Sequence, residues 1–221
     1  MVLGDQGGGG EREDAVLLNI DPEHPEPWLI ARVVQALRRS GVVVLPTDTV
    51  YGLACSLDDP EAAKRLYEVK EIGPAKRLSI MVEDIATAAR YTRGISNSVF
   101  RAMRRVLPGP YVFIFQASQE VPKIMLRKRR TIGVRCPAAP IVQAVLAELG
   151  CPLLTTSIQN ERHEFLLDPV EIDEDLGDRV DLVVGGGTLP DEPSTVVDLT
   201  GDEPVLVRPG KGDVAALGLF E

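Results

Sequence analysis

Histidine and cysteine are scarce in this sequence, and the scarcity removes whole mechanisms. The two histidines are His24, near the start, and His163, in a polar acidic stretch, so Ser-His and Cys-His nucleophilic catalysis is not expected. Cys55, Cys136 and Cys151 are an odd number and form no CxxC pair, so neither a disulfide framework nor a structural zinc site is indicated; they read as small buried residues. There is no GxxxxGK[ST] loop, no Rossmann glycine fingerprint and no His-rich metal set, so a nucleotide would have to be held by basic side chains and hydroxyls. No window approaches the ~20 apolar residues of a membrane span. The opening stretch also lacks a signal-peptide core and the Arg-rich, acid-poor character of a transit sequence. A cytoplasmic chain is expected, an organelle requiring a targeting segment upstream.

What is present suits a folded α/β chain. At 221 residues and 44% hydrophobic the sequence can supply a sizeable core. Residues 1–15, with four consecutive glycines, are expected to be flexible, leaving 16–221 as the folded domain. The net charge of −9 argues against wholesale nucleic-acid binding, but the charge is uneven. Nine Lys and Arg crowd 101–135, where Glu120 is the lone acid, and this segment is the candidate to face phosphate.

Periodicity predicts a helix from Pro27 that stops at Gly41, then an apolar strand over 42–45 that meets Pro46-Thr47-Asp48-Thr49. Asp59-Pro60 starts a second helix, and helices are also expected near 84–91, 96–106, 140–149 and 168–176. Further strands are expected at 78–82, 111–115, 131–135, 152–156, 181–184, 194–199 and 205–208. The last strands lack intervening helices, so the sheet should be mixed in direction, with helices covering it.

Several strand ends carry ligand-binding chemistry. Thr47 follows the first strand, Arg135 the 131–135 strand, Thr155-Thr156-Ser157 the 152–156 strand; Ser194-Thr195 and Arg208 complete the set. Polar groups at adjacent strand ends can converge on one crevice, where arginine presents planar donors to phosphate or carboxylate. Each residue alone also fits a blander role, such as an arginine snorkelling at the surface.

PTDTVYGL, PGPYVFIF, TIGVRCP, PLLTTS and STVVDLTGDEPVLVRPG occur in an order that resembles the YrdC family of threonylcarbamoyl-AMP synthases, from about residue 27 to 214. KRRTIGVRCP, VVGGG and RPGKGDV look closest to its YciO branch. The resemblance implies a RibB-type α/β fold, a twisted mixed sheet with flanking helices around a concave basic cleft. It also implies a reaction: ATP, L-threonine and bicarbonate or CO2 give threonylcarbamoyl-AMP and pyrophosphate, towards threonylcarbamoyladenosine in tRNA. Mg²⁺ would accompany ATP, with no protein metal site, and a downstream threonylcarbamoyl transferase would be a partner.

By that resemblance Thr47, Tyr51, Thr156 and Ser194 would form the amino-acid site, and Arg135, Ser157 and Arg208 would hold ATP. Lys70, matching the first residue of the family's Lys-x-Arg motif, would reach the phosphates and, with Arg135, serve catalysis. The sequence departs from the synthase pattern at Ile72, around Lys76-Arg77-Leu78, at Met81 where synthases commonly carry histidine, at Val112, and at Ser157-Ile158-Gln159. Lys76 and Arg77 can restore the missing charge from a differently shaped loop. Two other readings stay open: a nucleotide- or RNA-binding module without synthesis, using the basic 101–135 segment on phosphates, and a relative acting on another amino acid.

Overall fold

The computed structural model describes residues 16–70, 78–126 and 130–220. In chain order the elements are β1 (Val16–Asn19), α1 (Pro27–Arg38), β2 (Val43–Leu45), β3 (Gly52–Ser56), α2 (Pro60–Val69), β4 (Ser79–Met81), α3 (Ile85–Tyr91), β5 (Thr92–Arg93) and α4 (Asn97–Val106). There follow β6 (Tyr111–Ala117), β7 (Thr131–Arg135), α5 (Pro140–Leu149), β8 (Leu153–Ser157), α6 (Pro169–Leu176), β9 (Leu182–Gly185), β10 (Thr195–Asp198), β11 (Val205–Arg208) and α7 (Val214–Leu217). The expected helices and strands form within a residue or two of their predicted places. The expectation for 1–15 lies outside the described residues.

Local chemistry sets the helix ends. Pro27 occupies the first turn of α1, and Leu29, Ile30, Val33, Val34 and Leu37 form its buried face. Asp59 accepts from the amides of Glu61 and Ala62 to cap α2, and Asp84, Ser96 and Asp168 cap α3, α4 and α6 in the same way. In α5 the N-cap residue, Ala139, has no side chain that can accept, and the helix ends at Gly150 with φ 78°.

All eleven strands join one mixed sheet, ordered β1-β9-β2-β3-β8-β4-β7-β6-β10-β11, with β5 added to β6. Pairs β1/β9, β2/β9, β4/β7 and β6/β10 are parallel, while β2/β3, β3/β8, β4/β8, β5/β6, β6/β7 and β10/β11 are antiparallel. Three strands were not foreseen. β1 is short, β5 has two residues, and β3 (GLACS) lacks the β-branched residues and alternation that mark a strand. It is buried at every position because it lies between β2 and β8, a neighbourhood that local sequence does not carry.

Alternation along the strands divides the core between the two faces. Val42, Val44, Leu53, Phe113, Phe115, Ile132 and Val134 share one cluster with α2 and α4. Val43, Leu45, Ala54, Leu153, Leu182 and Val184 belong to the other, sealed by α1 and α5. Burying each such Val or Leu contributes roughly 1.5–3 kcal/mol relative to exposure. The second cluster covers only part of its face: across β8, β4, β7 and β6 the seal gives way to a cleft.

Candidate functional site

The floor of the cleft follows from the register. Ala54, beneath α1 and α5, lies beside Thr155, which pairs with Ser79; Ser79 pairs with Gly133, and Gly133 with Ile114. An apolar row thus turns small and polar as it leaves the helices. A Cβ on Gly133 would lie 2.8 Å from Ser79 Oγ and 3.2 Å from Val112 Cγ1, so glycine keeps this floor low. Above it is a cavity of about 480 Å³, walled by Tyr51, Arg135, Thr156, Ser157, Ser194 and Arg208 among others. Six of the eight residues expected at the site therefore converge on one space.

Arg135 stands at the end of β7, a residue only 7% exposed. Its Nη2 donates to Thr49 Oγ1 at 2.7 Å, to Thr47 Oγ1 at 3.0 Å and to the carboxylate of Asp48. Its Nε is buried and has no hydrogen-bond partner among the described residues. Burial pulls the guanidinium down from its usual range, and the charge of Asp48 opposes that pull. An N–H left unpaired on a buried cation costs free energy.

Arg208 braces the facing wall. Its Nε and Nη2 donate to the Ser194 carbonyl at 3.2 and 2.8 Å. Burial and then the nearby charge of Arg135 push its pKa down, so the two guanidinium groups sense one another across the cavity. The Ser194 hydroxyl is 3.5 Å from Thr49 Oγ1. Tyr51 contributes its ring to the wall, but its hydroxyl donates to Gly187 O at 2.7 Å and accepts from Gly186 N at 3.0 Å. It fastens the glycine turn after β9, and burial raises its pKa and keeps it protonated.

Two expected residues are placed otherwise. Thr47 is off the cavity wall: its hydroxyl takes N–H groups from Arg135 and Thr49 and donates to Val50 O at 2.7 Å, so it supports Arg135 from behind. Lys70, at the end of α2, lines an adjoining cavity of about 560 Å³ that shares Gln159 with the first. Ile72, Lys76 and Arg77 lie outside the described residues. Met81 and Val112, two of the departures, are on the main wall. Of the basic 101–135 segment, Arg135 alone lines the cavity among the described residues; Arg101, Arg104 and Arg105 are exposed on α4, which packs on the opposite face of the sheet.

Sequence reasoning passed over Asp48 as a site residue. It is the acceptor that holds Arg135, from 87 positions earlier in the chain. Its signal was its place between two threonines directly after a buried strand. Gln159, also on the wall, was marked only as a departure from the synthase pattern, and Phe165, beside it, had no signal. Among the described residues no three His, Cys, Asp or Glu side chains gather to hold a metal. No described helix is long and apolar enough to cross a membrane.

The family model for Sua5, YciO and YrdC proteins, described as telomere recombination, matches residues 35–210. The chain belongs to this family. Escherichia coli YciO, described as uncharacterized, is 41% identical over 197 residues, 88% of this chain and 95% of its own. Its crystal structure superposes with a TM-score of 0.86, covering 92% of this chain and 99% of that one. Sua5 of Pyrococcus abyssi complexed with L-threonine gives a TM-score of 0.83 at 27% identity, over 89% of this chain and 58% of its own. The threonylcarbamoyl-AMP synthase of Bos taurus is 32% identical over 186 residues, 80% of this chain and 66% of its own. The YrdC-like fold is therefore the one expected, and the family includes threonylcarbamoyl-AMP synthases.

Proposed function

We propose that the chain forms L-threonylcarbamoyl-AMP from L-threonine, bicarbonate or CO2 and MgATP, releasing pyrophosphate. The observation that carries the reading is a cavity walled by two arginines, Arg135 and Arg208, together with Ser157, Thr156 and Ser194. A donor set of cations and hydroxyls suits a polyanion beside an amino acid. Mg²⁺ enters with the phosphates as part of the substrate.

Read chemically, the threonine amine takes up CO2 and loses a proton to give a carbamate. A carbamate oxygen attacks the α-phosphorus, and the bond to the bridging oxygen breaks as pyrophosphate leaves. No protein nucleophile is required. The contribution of the protein is to hold two anions together and to meet the charge that gathers on phosphorus oxygens. Arg135 offers its guanidinium to the nucleotide, Arg208 and Ser157 face the same space, and Thr156 and Ser194 take the amino acid. Thr47 serves by orienting Arg135, and Lys70 is the group left to the phosphate tail on the side of the adjoining cavity. The adenylate would pass to a threonylcarbamoyl transferase acting on tRNA.

A second reading is favoured by Met81 and Val112 on the wall and by Lys70 lying off it: a nucleotide-binding relative that uses a different amino acid or does not complete the transfer. Pyrophosphate release measured with each of ATP, Mg²⁺, bicarbonate and L-threonine omitted in turn separates the two. The first reading requires release that needs all four, with the adenylate identified by mass spectrometry. ATP binding without threonine-dependent release would overturn it and support the second.

A further inference from the structure

The hold on Arg135 is unequal among its nitrogens. Nη2 carries two N–H bonds and faces three acceptors, so the protein saturates it, while Nε is left without one. Asp48 is the charged one among the three acceptors, and its other atoms are engaged as well. Oδ2 accepts from the Ala138 amide at 3.1 Å, just ahead of α5, whose own N-cap residue provides no acceptor. Its carboxylate thereby clamps both ends of the short connection from Arg135 to Ala138. The Asp48 carbonyl accepts from Lys211 Nζ at 2.7 Å. Lys211 in turn donates its amide to Pro193 O, next to the Ser194 carbonyl that braces Arg208.

One residue thus links the wall that carries Arg135 to the wall that carries Arg208. We propose that Asp48 is a positioning residue of the cleft, holding the Arg135 guanidinium at the cavity wall and, through Lys211, fixing the distance to the wall of Arg208. The inference rests on the function proposed above. Its physical basis is that two facing guanidinium groups repel, and a buried one keeps a single orientation only when a charged acceptor fixes it. A neutral amide at position 48 would keep one oxygen for Nη2 but lose the charge and the acceptor for Ala138.

The test uses the full chain with Asp48→Asn, read by steady-state pyrophosphate release, by thermal melting and by the ¹⁵N resonance of Arg135 Nε, assigned through its loss in Arg135→Lys. Inorganic pyrophosphate is the anion titrated. In the wild type the titration should move the Nε resonance. In Asp48→Asn that response should vanish, and kcat should fall about 100-fold, the scale of a misplaced catalytic geometry, with KM for ATP raised because Arg135 no longer meets the phosphates and KM for L-threonine within about threefold of wild type. Lys211→Ala, an exposed position, should lower kcat about tenfold with no change in melting temperature.

Wild-type kcat in a folded Asp48→Asn, or an unchanged Nε response, would overturn the proposal; so would a wild-type resonance that pyrophosphate leaves in place. If Asp48→Asn does not fold, unaltered kinetics in Lys211→Ala would overturn it equally. A wild type that releases no pyrophosphate from ATP, yet shows an Nε response that Asp48→Asn abolishes, would end the proposed reaction and leave the positioning role standing.

Discussion

Two halves of one sheet face do opposite work in this chain. Under α1 and α5 the face carries Val43, Leu45, Ala54, Leu153, Leu182 and Val184, and it is closed. A few strands away the same face carries Thr155, Ser79, Gly133 and Arg135, and it is open above a cavity. The backbone is continuous across the change, with β8 contributing Leu153 to the closed half and Thr155 to the open one. Side-chain size and polarity, rather than topology, decide where the helices seal. The closed half carries buried apolar side chains, and the open half carries polar ones around the cavity.

The largest effect that can break this division comes from the closed half. Leu45→Ala removes a side chain that is 1% exposed and should cost about 2–5 kcal/mol of stability by urea denaturation. MgATP affinity of the folded protein should stay at the wild-type value; a matching loss of affinity would show that the halves are not separable. Gly133→Val tests the reverse. Its new methyl groups crowd Ser79 and Val112 on the floor of the cleft, and the expected loss is about 1–3 kcal/mol of MgATP affinity by calorimetry, exceeding the loss of stability.

Tyr51→Phe sharpens the comparison at the boundary, because the ring remains on the wall while the hydroxyl's two bonds to Gly186 and Gly187 are lost. About 1 kcal/mol of stability per lost bond is expected, with MgATP affinity retained. A large affinity loss would mean that the hydroxyl touches the ligand instead of fastening the turn.

The smallest effect is a pH dependence that belongs to the opposite face of the sheet, in whose core Cys55 and Cys136 lie. Burial pushes the Cys55 thiol from 9.0 up to about 12 and the Cys136 thiol from 9.0 up to about 11. Above pH 9 the unfolded chain releases these protons while the native chain keeps them, so the unfolded state binds fewer protons and stability falls as pH rises through that window. The contribution is complete below pH 9. Urea midpoints at pH 8 and pH 10 should differ, and Cys55→Ala should reduce the difference; an unaltered slope would remove Cys55 as its source.

The covered elements were legible in the sequence because their signals are local. Pro27 and the spacing of Leu29, Ile30, Val33, Val34 and Leu37 specify α1, and the apolar runs of β2 and β6 specify core strands. β3 was not legible, since Gly52, Ala54 and Ser56 earn burial from their neighbours in the sheet. At the site, the strand-end positions of Arg135, Thr156, Ser157, Ser194 and Arg208 could be read along the chain. Which acceptor would hold Arg135 could not, because Asp48 reaches it only through the stacking of β2, β3, β8, β4 and β7. Lys70 was assigned from its place in a motif, yet the end of α2 carries it to a different cavity. Position in a motif gives order along the chain, whereas direction in space is set by the element that carries the residue.

The central claim is that the open half of this face is a nucleotide site headed by Arg135. A crystal structure of the protein grown with MgATP tests it most directly. The nucleotide should lie over the Ser79–Gly133–Ile114 row, with a phosphate oxygen within hydrogen-bond distance of the Arg135 guanidinium. A nucleotide bound elsewhere, with no phosphate oxygen at the Arg135 guanidinium, would contradict it.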